Sequence, residues 1–119
     1  SKYVDSFNQV IKHNVIITDK DKVIAASGIL KKKYLGRKIT EFTEHSIERR
    51  DSFVERQKKL FSFVEGIEEL GYYSFSSIVS DSDTIGSVII FSVDAPILES
   101  DEKLAIILSK LLSGKFLSN

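Results

Sequence analysis

Apolar residues change their spacing along the chain, and the changes mark its elements. Tyr3, Val4, Phe7, Val10 and Ile11 recur at intervals of three and four, with polar residues between them. That pattern predicts an amphipathic helix running to about His13. Two or three turns of helix are marginal alone, so the stripe needs a partner in its own domain or on a second copy. Residues 15–18 and 22–27 then form β-rich runs, apolar on both pleat faces, around the polar turn Asp19-Lys20-Asp21. They predict a hairpin set inside a sheet.

Residues 29–35, with three consecutive lysines, read as a short helical or turn segment closed by Gly36. Thr40 caps a predicted helix over 41–50 that carries Phe42 and Ile47 and lies half-exposed over the sheet. Residues 51–59 show no period beyond the anchor Phe53-Val54, a third strand is predicted over 60–64, and 66–70 reads as a connection. Over 72–79 the alternation places Tyr73, Phe75, Ser77 and Val79 on the expected inner face. A four-residue loop, Asp81-Ser82-Asp83-Thr84, leads to the most apolar run, 85–93, expected at the sheet centre. Gly86 within it marks a bulge or a close approach by another group. After Pro96, Ser100 is the expected cap of a last helix. Leu104, Ile107, Leu108 and Leu111 form its stripe, widened by Ala105, Ile106 and Leu112. A helix so apolar needs two partners, the sheet and a neighbouring subunit.

The order of helix, two strands, helices, three strands, helix predicts an α+β fold, an antiparallel sheet flanked by helices. A length of 119 residues with 42% hydrophobic residues suits one domain, residues 1–119. The 17 basic and 17 acidic residues cancel and read as interspersed, which predicts no nucleic-acid face on this chain. The absence of cysteine excludes disulfides, thiolate nucleophiles and cysteine-ligated metal. No apolar run approaches the roughly 20 residues of a spanning helix, so the expectation is a cytoplasmic protein without membrane contact. The chain opens at Ser1 and contains no methionine, from which we expect a fragment of a longer protein.

Little in the chain suggests catalysis. His13 and His45 lack the close ligand spacing of a metal site and are expected at the surface. Asp19-x-Asp21 and Asp81-x-Asp83 lack the glycine and distal glutamate of a calcium loop and read as turns. There is no Gly-x-Ser-x-Gly elbow and no glycine-rich phosphate loop, so no enzyme activity, cofactor or metal is expected.

Three segments together carry a resemblance: 15–28, the Lys31-Lys-Lys-Tyr-Leu35 run, and Ile85-Gly-Ser-Val-Ile-Ile-Phe-Ser92. They resemble the family of C-terminal GAF domains of stage V sporulation protein T, over about residues 3–115. The resemblance implies a GAF-like regulatory domain of a spore-forming bacterium's transcription factor. It further implies that an AbrB-type DNA-binding domain, absent from these residues, makes the DNA contacts, and that terminal helices join subunits. GAF domains bind small molecules between the sheet and its covering helices. Here that position would be lined by Ser27, Tyr34, Phe42, Tyr73 and Phe75, with Arg50 at the rim to pair with an anionic ligand. The corresponding oligomer interface would use Phe7, Val10, Ile11, Leu104, Ile107, Leu108 and Leu111. Two functions stay open: a domain that senses an unknown small molecule and re-spaces attached DNA-binding modules, and an oligomerisation module with no ligand.

Overall fold

In the computed structural model, which describes residues 13–27 and 30–117, one antiparallel sheet is covered by helices on both faces. Its strands are β1 (Asn14–Thr18), β2 (Val23–Ala26), β3 (Ser52–Val64), β4 (Ile67–Ser80) and β5 (Asp83–Ser92), in the order β2-β1-β5-β4-β3. The helices are α1 (Lys31–Tyr34), α2 (Glu41–Glu48) and α3 (Glu99–Leu117). The helix expected before His13 lies outside the described residues.

β5 holds the centre, as its composition predicts: Val88, Ile89, Ile90 and Phe91 are all buried, pairing with β1 on one side and β4 on the other. Each fully buried side chain of this size contributes about 1.5–3 kcal/mol of transfer free energy. Alternate residues of the strands serve two cores. Ile16, Phe75, Ile89 and Phe91 pack under α1 and α2, while Val15, Ile17, Ile78 and Ile90 pack under α3. The expectation of a single inner face on β4 therefore fails, because Ser74, Ser76 and Ile78 are buried on the α3 side.

Three segments differ from expectation. β3 begins at Ser52 and runs unbroken through the polar stretch 55–59, with a register irregularity between Glu55 and Lys59. Residues 67–70, read as a connection, belong to β4; the turn is Glu65-Gly66, and Gly66 has φ +81°. The β4–β5 link is likewise shorter than the four residues expected, with Asp81-Ser82 as its turn.

The caps follow local chemistry. The Thr40 hydroxyl accepts from the Thr43 N–H and donates to the Ser62 carbonyl, tying the start of α2 to β3. At α3 the expected Ser100 cap gives way to Asp101, whose carboxylate accepts from the Leu98 N–H at 3.0 Å and meets His13 Nε2 at the same distance. His13 is thus largely buried rather than at the surface.

Candidate functional site

Aromatic side chains from five elements converge on the α1–α2 face of the sheet. β3 supplies Phe53, Phe61 and Phe63; β4 supplies Tyr73 and Phe75; β5, α1 and α2 add Phe91, Tyr34 and Phe42. Period-two alternation brings the strand residues to one face. Phe53 stacks on Phe75 with centroids 4.9 Å apart, and Tyr73 takes Phe61 and Phe63 edge-on at 5.0 and 5.1 Å. Such pairs add about 0.5–1.5 kcal/mol each beyond area burial. Phe42 is held over Phe53 and Phe63 because the Thr43 hydroxyl donates to the Phe63 carbonyl, fixing the first turn of α2 against the strand.

Two spaces lie within this cluster. The inner one, bounded by Ile16, Tyr34, Phe61, Phe63, Ile67, Glu69 and Phe91, is too narrow to admit a water molecule. The outer one is an open groove of about 220 Å³ bounded by Phe42, Leu60, Phe61, Ser62, Phe63 and Tyr73. Phe61 and Phe63 line both, so their rings form the partition.

The polar groups at this site are few. Glu69, which borders the inner space, receives the exposed Lys33 Nζ at 2.7 Å. Burial, and secondarily the Glu69 carboxylate, pushes the Tyr34 phenol well above the usual tyrosine range. Tyr73 is raised as well, by burial first and then by Glu55. Glu55 is itself lowered by the hydrogen bond from Lys59 and by the Gln57 N–H. The neutral phenols and the Lys33–Glu69 pair leave an apolar chamber with one charged corner.

Of the six residues expected here, Tyr34, Phe42, Tyr73 and Phe75 gather in the cluster. Ser27 and Arg50 line neither space. The buried Ser27 hydroxyl accepts from the Val15 N–H at 3.1 Å and fastens the end of β2 to β1. Arg50 sits beyond the opposite end of α2 with φ 59°, its guanidinium donating to the Ser82 carbonyl. Phe53, Phe61, Phe63, Phe91 and Glu69 were missed. The i, i+2 spacing of Phe61 and Phe63 was the available signal, obscured by apolar Leu60 and Val64 beside them.

A larger cleft of about 370 Å³ lies on the other face, between β4 and α3. Four of its hydroxyls are already engaged: Ser76 with Ser109, Ser109 with the Ile106 carbonyl, Ser113 with the Val79 carbonyl, and Ser77 with the Ser46 and Asp51 carbonyls. Among the described residues no group of three or more histidines, cysteines or carboxylates could hold a metal ion. No helix among the described residues is long and apolar enough to cross a membrane.

α3 divides the residues expected at an oligomer interface. Leu108 is fully buried in the chain's own core and Leu104 packs partly against it, whereas Ile107 and Leu111 are half-exposed. Phe7, Val10 and Ile11 lie outside the described residues.

Comparison with known proteins bears on this geometry. The fold is similar to the cofactor binding GAF domain of the nutrient sensor CodY from Clostridium difficile, with a TM-score of 0.71 and 11% identity, over 97% of this chain and 82% of that one. In sequence the chain is 38% identical over 103 residues to stage V sporulation protein T of Bacillus subtilis (strain 168). That alignment covers 86% of this chain and 58% of the relative's length. The family described as "Stage V sporulation protein T C-terminal, transcription factor" matches residues 1–116. It is a transcription factor's family and not an enzyme's. The chain belongs to the stage V sporulation protein T C-terminal family of transcription factors.

Proposed function

We propose that this chain is the small-molecule-sensing domain of a cytoplasmic sporulation regulator, and that its ligand enters the aromatic face between β3, β4, α1 and α2. The observation that carries the reading is the pair of spaces that share Phe61 and Phe63 as a common wall. Rotation of Phe61 joins the outer groove to the inner space and gives an apolar ligand a closed chamber with the Lys33–Glu69 pair at its edge. Aromatic walls with a few placed polar groups suit small-molecule recognition. The fold relative from Clostridium difficile is itself described as a cofactor binding GAF domain, which supports a ligand-binding role for this fold. Binding then favours one arrangement of the domain over another and, through its termini, re-spaces DNA-binding modules carried elsewhere in the protein. Coupling of about 1–3 kcal/mol suffices for such a switch.

A thermal-shift screen of the chain against nucleotides, amino acids and small organic acids tests this. A ligand at about 100 times its Kd adds roughly 2.7 kcal/mol, a rise on the order of 10 °C for a domain of this size. Phe42→Glu, at a half-exposed rim position, abolishes that rise without unfolding the chain. A shift that survives Phe42→Glu, or no shift with any class, counts against the reading.

A second reading, subunit assembly, is favoured by Ile107 and Leu111, one helical turn apart and each about half exposed on α3. It predicts that Ile107→Glu with Leu111→Glu lowers the mass seen by light scattering while the fold persists. An unchanged mass argues against it.

A further inference from the structure

We infer that the rim formed by α1, the outer edge of β2 and residues 36–38 is a docking surface for the phosphate backbone of duplex nucleic acid. Residues 20–38 hold seven basic side chains and one acidic, a net charge of +6 in a chain whose total is zero. The charges are therefore not interspersed as the sequence composition suggested. The fold keeps them together. The Gly36 N–H donates to the Val23 carbonyl and the Val23 N–H to the Arg37 carbonyl, each at 2.9 Å, and Lys22 pairs directly with Lys38. Arg37 Nε donates to the Lys33 carbonyl at 2.8 Å, which draws α1 to the same rim. All seven basic residues are exposed.

Nearby carboxylates neutralise only part of this charge. Glu69 takes Lys33, Lys20 borders Glu44 and Glu48, and the Asp19 carboxylate is occupied by the Asp21 and Lys22 N–H groups. Among the described residues no carboxylate pairs with Lys22, Lys32, Arg37 or Lys38. Like charges directly opposite on neighbouring strands destabilise a sheet, so the Lys22–Lys38 pair costs the free protein stability that a polyanion restores. Protecting a sheet edge from other strands takes a charge or two, and this rim carries many more. A protein partner would call for an apolar interface centre, whereas among the described residues of this rim Leu35 is the one large exposed apolar side chain. Phosphate needs no such centre, and contacts of this kind read no sequence.

The test is fluorescence anisotropy of the 119-residue chain with a labelled duplex of arbitrary sequence. Four phosphate contacts give a slope of log K against log salt of about −3.6, so affinity falls about 150-fold between roughly 50 and 200 mM salt. The variant Lys22→Gln/Lys32→Gln/Arg37→Gln/Lys38→Gln loses tenfold or more in affinity with its melting temperature retained, while Lys103→Gln/Lys110→Gln on α3 binds as the parent does. Absence of binding at the low salt, or equal binding by the fourfold variant, overturns the proposal. Tighter binding to polyglutamate than to the duplex also overturns it, in favour of an acidic protein partner. None of these outcomes depends on the ligand screen.

Discussion

A methyl group added at Gly86 would lie 1.9 Å from the Thr18 carbonyl oxygen, and one at Gly71 would lie 2.3 Å from that of Ser92. Backbone cannot yield as a flexible side chain does, so Gly86→Ala must displace β1 from β5. We expect a loss of about 2–4 kcal/mol, read from the midpoint of urea unfolding. Of the two alternatives open for Gly86, the close approach is present, and the β4–β5 register also shifts opposite it, between Ile78 and Val79. Gly71 gave no such signal, because it sat next to residues read as a connection. Tyr34 makes a pH prediction. Its folded pKa is raised above the ordinary 10.0, so the neutral phenol stabilises the fold fully below that value. Between the ordinary value and the folded one the unfolded chain binds fewer protons, and stability falls as pH rises. Tyr34→Phe flattens that alkaline loss in unfolding curves collected above about pH 10; an equally steep loss in the variant would place its origin elsewhere.

Among the elements, α3 shows why a stripe read from spacing needs the fold to orient it. The sequence grouped Leu108 with Ile107 and Leu111, but Leu108 faces the sheet with Ala105 and Leu112 while the other two face outward. Leu108→Ala is expected to cost about 2–5 kcal/mol by leaving a cavity, and Ile107→Ala under about 0.5 kcal/mol, measured by chemical denaturation. Similar losses from both would mean that α3 is turned differently on the sheet. β3 was the least legible element. Its stretch Glu55-Arg56-Gln57-Lys58-Lys59 has no apolar period because it is an edge strand with an irregular register, and its Arg56 reaches across to Glu102. What makes it a strand is pairing with β4, a nonlocal property no window of residues displays. The hairpin of β1 and β2, α2 with its Thr40 cap, and the central β5 were legible because each carries its own apolar pattern or capping residue. The aromatic site was only half legible for a related reason: Phe61 and Phe63 fall in the strand expected over 60–64, but Phe53 lies in the stretch without a period, and pairing with β4 is what joins them in one strand.

For the whole molecule, the two faces of the sheet divide the work. The α3 face carries the second core, a cleft between β4 and α3, and the half-exposed Ile107 and Leu111. The α1–α2 face holds the aromatic chamber, and the cationic rim lies along its outer edge. A ligand that swings Phe61 would act next to α1, whose Tyr34 borders the inner space and whose Lys33 pairs with Glu69 at its edge. Ligand and phosphate binding are therefore expected to influence each other, so that a hit from the screen alters duplex affinity in the anisotropy assay. Unchanged affinity would separate the two sites. The most direct test of the sensing function is a two-dimensional NMR titration of the 119-residue chain with such a hit. The account predicts saturable shifts concentrated at Tyr34, Phe61, Phe63, Glu69 and Tyr73. Shifts confined to the α3 face, around Leu108 and Ser109, or no saturable shifts at all, would contradict it.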